Sequence, residues 1–257
     1  MTATMVIYIF LAGVASGFVN TVGGGGSLIS LPALIFAGLP SAVANGTNRI
    51  ALMAQNVVAI EYFRQKGFFY PKLSLLLGIP AVLGSILGAK FAISLSDEMF
   101  NKVLALVMLT VLVLIIWRPE KKFLKSGEQE NLEGLRLIGA VLAFFGVGFY
   151  GGFIQAGVGF IIIASLTLIT GMSLVKINSL KVFISIIYMF SSLLVFVFSG
   201  KVDWVLGIIL AAGNAIGAYL GGVFTVHKGD KWIRVFLVVT VLILSGKLLG
   251  VHKLIGL

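Results

Sequence analysis

The sequence predicts an all-α integral membrane protein made of two inverted repeats, each of about five hydrophobic segments: four long helices and one half-helix after a glycine break. Three observations lead there. Hydrophobic residues make up 59% of the 257 residues and charged ones 11%, against about 25% charged in a soluble domain, and the mean hydropathy is +1.12. Such a chain has too little polar surface to face water. Second, a shift of 133 residues aligns a long block without a gap. Gly26 falls on Gly159, Gly38 on Gly171, Asn45 on Asn178, Gly67 on Gly200, Gly84 on Gly217, Gly88 on Gly221, Phe91 on Phe224 and Asp97 on Asp230, while Gly17-Phe18 falls on Gly148-Phe149 at a shift of 131. Third, equivalent loops of the two copies carry different charge. Lysine and arginine accumulate in cytoplasmic loops, so the equivalent loops are placed on opposite faces.

The first copy (1–117) divides into Met5–Val22, Ser27–Gly38, Val43–Phe63, Lys72–Leu95 and Met99–Trp117, and the second (137–257) into Leu137–Gln155, Phe160–Thr170, Ile177–Phe198, Asp203–Val226 and Trp232–Leu249. The start, MTATMVIYIF, lacks the basic region of a cleaved signal peptide and reads as a retained first helix. A crossing takes about 20 apolar residues, so the second segment of each copy is too short and reads as a half-helix starting at a break inside the membrane. The linker 118–136 holds Arg118, Lys121, Lys122, Lys125 and Arg136 and is predicted to be cytoplasmic, with the loop from Arg64 to Lys72 and a turn at His227–Arg234. The Asp97-Glu98 turn and the Gly200–Asp203 turn then lie outside, as do both termini. Inverted repeats require an odd number of crossings per copy, which favours five elements over four.

The chemistry gathers at the breaks. The first reads Asn20-Thr21-Val22-Gly23-Gly24-Gly25-Gly26-Ser27, with Pro32 shortly after, and the second Gln155-Ala156-Gly157-Val158-Gly159. Glycines spaced by four, as in Gly84 and Gly88 or Gly213, Gly217 and Gly221, serve close helix packing. Four in a row cost helix stability, and instead free backbone N–H groups at the start of the next helix, where an anion is favoured. The third segments add Asn45-Gly46-Thr47-Asn48-Arg49, then Gln55 and Asn56, and in the second copy Asn178-Ser179-Leu180-Lys181. Asn48 aligns with Lys181. A cation within a membrane segment faces a cavity or partner, or lies near a helix end and snorkels to the interface; both readings stand for Arg49 and Lys181. In the first, Asn45, Asn48, Arg49, Asn178 and Lys181 line a positive pocket with Asn20, Thr21, Gly24, Gly25, Gly26, Ser27, Gln155 and Gly157, suited to a small anion.

Several classes are disfavoured. The nine carboxylates (Glu61, Asp97, Glu98, Glu120, Glu128, Glu130, Glu133, Asp203 and Asp230) and both histidines fall in loops or at segment ends, whereas proton pumps and cation carriers keep such groups at depth. There is no cysteine, no HExxH, no P-loop and no nucleophile elbow. An enzyme, a metal site or a cofactor is therefore not expected. The net charge of +10 reflects loops rather than a nucleic-acid surface. The expected partners are the lipid bilayer, a small anionic substrate and a coupling ion, H+ or Na+.

GFVNTVGGGGSLISLPALIFAG, followed by ANGTNRIALMAQNVVAIEYF and a fourth segment bearing GxxxG, resembles the TauE/SafE family, also known as the sulfite exporter or toluene sulfonate uptake permease family. The resemblance covers nearly the whole chain. Its most specific parts are the glycine run, Pro32 and the ANxTN segment. In the second copy Gly157 and Gly159 resemble the family's second glycine motif, although Ser165 stands where that motif has proline, and Phe160 and isoleucines stand where it has small residues. The resemblance implies a multi-pass protein of the bacterial inner membrane that carries sulfite, sulfoacetate or other sulfur-containing or organic anions. The readings it leaves open are a carrier of a non-sulfur carboxylate and a non-transporting membrane partner or assembly protein.

Overall fold

The computed structural model describes residues 2–104, 106, 110 and 132–248, of which 229–248 as backbone alone. The described chain is helical throughout, without strands: α1 Ala3–Val22, α2 Ser27–Phe36, α3 Ser41–Gln65, α4 Pro71–Ser94, α5 over 97–104, α6 Gly134–Phe153, α7 Val158–Thr170, α8 Leu174–Phe198 and α9 Trp204–Leu248. Local signals set the boundaries. The Thr2 side chain accepts from the Met5 N–H at 3.3 Å and starts α1. Pro71 opens α4, where its missing N–H costs nothing. Gly171, at φ 64°, closes α7 in the left-handed conformation.

Among the described residues, five helices are long and apolar enough to cross a membrane: α1, α4, α6, α8 and the Trp204–Lys228 part of α9. Large apolar side chains such as Leu83, Leu87, Leu142 and Ile208 point outward, as lipid requires. α3 has the length but not the apolarity, because it carries Asn45, Asn48, Arg49, Gln55 and Asn56, all buried.

The two short helices fold back on their predecessors. A Cβ on Gly26, at the start of α2, would run into the Ser16 carbonyl and Asn20, and the Ser16 hydroxyl donates to the Ser30 hydroxyl at 3.1 Å. Leu34 shares a core with Ile9. α2 therefore runs antiparallel to α1, from a buried start to an exposed end at Phe36. α7 does the same beside α6: the Tyr150 hydroxyl donates to the Ala156 carbonyl, and Ile162 and Leu166 share a core with Phe144 and Val147.

Between these hairpins, α1 packs on α9, α4 on α6, α3 on α9 and α4 on α8. Glycines make the approach possible, and the contacts recur with the halves exchanged. A Cβ on Gly17 would strike the Asn214 carbonyl, and one on Gly148 the Ala81 carbonyl; Gly217 faces the Val14 carbonyl and Gly84 that of Phe145; Gly221 faces Phe18 and Gly88 faces Phe149. Gly17 and Gly148, Val14 and Phe145, and Phe18 and Phe149 are each 131 apart, while Ala81 and Asn214, Gly84 and Gly217, and Gly88 and Gly221 are each 133 apart. One core is built on α1–α2 and includes Phe153, Ile154 and Ala156 from the second break. The other is built on α6–α7 and includes Val22 from the first.

The connectors 66–70 and 199–203 lie at opposite ends of α3. The Asp203 N–H donates to the Thr47 hydroxyl at 2.8 Å, whereas the Phe68 carbonyl, beyond the far end, accepts from Ser179; the helical stretch from 47 to 65 spans about 27 Å. Leu132 shares a core with Leu73 and Leu174 and belongs to the end where 66–70 lies.

The helix bounds follow the sequence expectation to within a few residues, with one correction. The basic turn expected at His227–Arg234 does not form. α9 continues as a single helix of 45 residues, about 67 Å long, because this stretch contains no proline and one glycine, Gly229, too weak a stop signal. The linker expected at 118–136 and the rest of the segment expected at Met99–Trp117 lie largely outside the described residues.

Candidate functional site

The two breaks touch. Gly24 has φ 88°, and a Cβ on it would lie closer than 3.0 Å to the Gly159 backbone, as would one on Gly159 to Gly24. Gly25 faces the ring of Phe160. Gly157 caps α7 at φ 73°, and Gln155 is the one non-glycine residue with positive φ, 68°, among the described residues. An L side chain in that region carries a cost of about 1–2 kcal/mol, and at functional sites such strain is tolerated because surrounding contacts fix it. Three groups fix Gln155: its Oε1 accepts from Arg49 at 3.3 Å, and its Nε2 donates to the Tyr188 hydroxyl at 3.4 Å and faces Met189 Sδ at 3.3 Å.

Each break is held by an amide and a cation from the opposite half. Asn45 Nδ2 donates to the Phe153 carbonyl, and Arg49 donates to the carbonyls of Gly151 (3.1 Å) and Gly152 (2.6 Å). Asn178 Nδ2 donates to the Val22 carbonyl, and Lys181 donates to those of Asn20 (2.7 Å) and Thr21 (3.0 Å). These carbonyls end α6 and α1, where a helix leaves acceptors unsatisfied and its dipole is negative. The cations also bond the asparagine of their own helix: Arg49 to Asn45 Oδ1 at 3.4 Å and Lys181 to Asn178 Oδ1 at 2.8 Å. Arg49 is further committed to the Ser192 hydroxyl at 2.8 Å and lies over the Phe196 ring at 4.7 Å. Both cations are buried, so neither snorkels.

A polar chain joins the halves. Asn20 Nδ2 donates to Gln55 Oε1 at 3.1 Å, Gln55 Nε2 to Asn56 Oδ1 at 3.4 Å, and Asn56 Nδ2 reaches Met189 Sδ at 3.5 Å, which in turn faces Gln155. Asn48 is fully buried and neither end of its amide has a partner; the Thr21 hydroxyl also lacks one. Burying an amide unbonded costs roughly 1–3 kcal/mol, so Asn48, next to Arg49 on α3, is an unspent amide, as is Asn214 on α9.

The expected residues thus assemble into two mirrored clusters: Asn45, Arg49 and Gln155 around the end of α6, and Asn178, Lys181, Asn20 and Thr21 around the end of α1. Gly24 lies at the contact between breaks, Gly25 beneath Phe160, and Gly26 and Ser27, both buried, start α2. Between Gly24 and Gly159 the backbones fill the space. Tyr188, Met189 and Ser192 were not among the expected residues, nor were Gln55 and Asn56 placed in the pocket. The repeat alignment held a signal for two of them, since 55 falls on 188 and 56 on 189, but glutamine with tyrosine and asparagine with methionine do not look alike.

A bundle with two buried broken hairpins, each held by a buried cation, defines a polytopic membrane protein with its polar machinery inside. The family model "Sulfite exporter TauE/SafE" matches residues 9–248. The chain belongs to the TauE/SafE family of membrane transporters and is a multi-pass protein of the bacterial inner membrane. It is 28% identical over 242 residues to a "Probable membrane transporter protein" of Haemophilus influenzae, covering 93% of this chain and 92% of that one. It is also 28% identical to "Probable membrane transporter protein YfcA" of Escherichia coli K12, over 94% and 88% of the two chains, and 27% identical to "Probable membrane transporter protein YdhB" of Bacillus subtilis, over 86% and 89%. No solved structure gives a significant match.

Proposed function

We propose that this transporter carries a small oxyanion, sulfur-containing such as sulfite, a sulfonate or sulfoacetate, by alternating access between two inverted repeats. The observation that carries the anion is the interior charge: Arg49 and Lys181 are buried, and among the described residues no carboxylate is. Carbonyl dipoles disperse these charges but do not cancel them, so a low-dielectric interior with two net cations attracts an anion and repels a metal ion. Contacts that recur with the halves exchanged, and connectors 66–70 and 199–203 at opposite ends of α3, support a pseudo-two-fold axis in the membrane plane.

In this reading the anion binds where donors are unspent: the amide of Asn48, the amide of Asn20 once Gln55 releases it, and the first N–H groups of α2 at Gly25, Gly26 and Ser27, whose helix start favours negative charge. Asn45, Asn178 and Gln155 with Arg49 and Lys181 hold the backbone of the site and set its field. The touching breaks at Gly24 and Gly159 separate to admit it. Uptake into proteoliposomes with a panel of sulfite, sulfonates and carboxylates tests the reading. Saturable flux of a sulfur oxyanion, with a KM raised about 10-fold or more by Asn48→Ala, is expected, one charged hydrogen bond being worth roughly 1.5–3 kcal/mol. Preference for a carboxylate would move the substrate class. Folded protein with no anion flux would leave a non-transporting membrane partner.

A further inference from the structure

We infer that the ends of α1 and α6 are monovalent-cation cages that the chain fills with its own side chains, Lys181 and Arg49, so that no external Na+ or K+ is needed there. The first cage is three oxygens around one ammonium: Asn20 O at 2.7 Å, Thr21 O at 3.0 Å and Asn178 Oδ1 at 2.8 Å from Lys181 Nζ. An ammonium is a compact point charge with three donors, and here each has an acceptor. Two of the oxygens end a broken helix, the third is a neutral amide. Exposed helix-end carbonyls within a broken membrane helix form the usual kind of site for a transporter's coupling cation.

The second cage repeats the arrangement with Gly151 O, Gly152 O and Asn45 Oδ1, yet its cation comes from a different register. Asn45 and Asn178 align, as do Asn48 and Lys181, whereas Arg49 stands one position further on. Two positions that do not correspond deliver positive charge to two cages that do. The cage fixes the need for a cation, and the tether is secondary. A tethered cation never leaves with the substrate. In the proposed transport cycle, on whose reading this clause rests, the anion therefore moves without a metal ion at either helix end.

The experiment is thermal unfolding of the purified full chain in detergent, in choline, sodium, potassium or ethylammonium chloride. Lys181→Ala opens the cage, and ethylammonium or potassium should then raise its Tm over choline by about 3–6 °C at ten times the Kd, with no such difference in the wild type. A folded Lys181→Ala protein with the same Tm in all four salts overturns the inference, as does a wild type that responds equally. If Lys181→Ala does not accumulate, Lys181→Arg and Lys181→Gln decide: folded protein from the arginine variant alone upholds the cage, and equal behaviour of the two overturns it. Anion flux through wild-type proteoliposomes should persist when sodium and potassium are replaced by choline, and a requirement for either would overturn the transport clause. Absence of any anion flux would instead remove the proposed function and leave the thermal result standing.

Discussion

At the scale of single residues, the glycines at the two ends of α2, one in the break before it and one in the turn after it, differ in what they do. Gly24 and Gly38 both have positive φ, 88° and 97°, but a Cβ on Gly24 meets the Gly159 backbone while one on Gly38 meets open space. Gly38→Ala should cost about 1–2 kcal/mol from the left-handed backbone alone, and Gly24→Ala clearly more, read as Tm in detergent. Equal losses would mean that the breaks do not touch. Arg49 gives a second contrast. Arg49→Met leaves the Gly151 and Gly152 carbonyls without their donors, and at roughly 1.5–3 kcal/mol per charged bond the folded yield should collapse. Arg49→Lys keeps the charge but not the fork that spans Gly151, Gly152 and Gln155, and its folded yield should fall between those of the wild type and Arg49→Met. These roles were only partly legible in the sequence. That Asn45 and Asn178 mattered could be read from their alignment, but that they and the two cations bind backbone carbonyls could not, because a carbonyl leaves no trace in residue identity.

At the scale of elements, α6 carries glycines of opposite meaning two residues apart. Gly148 has its Cβ position against the Ala81 carbonyl of α4, while Gly146 has nothing within 4 Å. Gly146→Ala should stabilise by about 0.5–1 kcal/mol through helix propensity, and Gly148→Ala should lower the Tm by prying α4 from α6. The same sign from both would contradict the packing. The spacing of Gly84 and Gly88, and of Gly217 and Gly221, announced such seams, since small residues four apart form a stripe. The fold-back of α2 onto α1 was not announced. Four glycines say where a helix stops and nothing of the direction in which the next one leaves; that direction is fixed by Gly26 seating on Ser16 and Asn20 and by the Ser16–Ser30 bond. α9 shows the converse error, since the charges near Gly229 read as a turn although nothing there prevents the helix from continuing.

At the scale of the whole molecule, the connectors on either side of α3 offer a test in a chain that has no cysteine of its own. Single cysteines at Lys66 and Ser199, both exposed, should label with a membrane-impermeant thiol reagent from opposite faces of the membrane, Lys66→Cys from the cytoplasmic one. Labelling of both from one face would end the inverted-repeat reading. The repeat itself was legible because its glycines sit either at close backbone contacts, as Gly84 and Gly217 or Gly88 and Gly221 do, or at left-handed turns, as Gly38 and Gly171 or Gly67 and Gly200 do, and both places favour glycine. The rest of each half is lipid-facing or core packing, where many apolar residues serve equally and the correspondence fades. Phe160 opposite Ser27 in the alignment is one such divergence, placed at the contact between the breaks, where it makes the two halves unequal.

The cross-bracing of the breaks also orders events in time. The carbonyls that end α1 are satisfied by Asn178 and Lys181, some 156 to 161 residues further along the chain. At a synthesis rate of about 5–20 residues per second, the first hairpin waits roughly 8–32 s for its partners to leave the ribosome. Throughout that interval its acceptors have only water, lipid headgroups or the translocation machinery to turn to, since hydrocarbon offers none. The first half is thus an intermediate whose helix-end acceptors go without their final donors until the second half arrives.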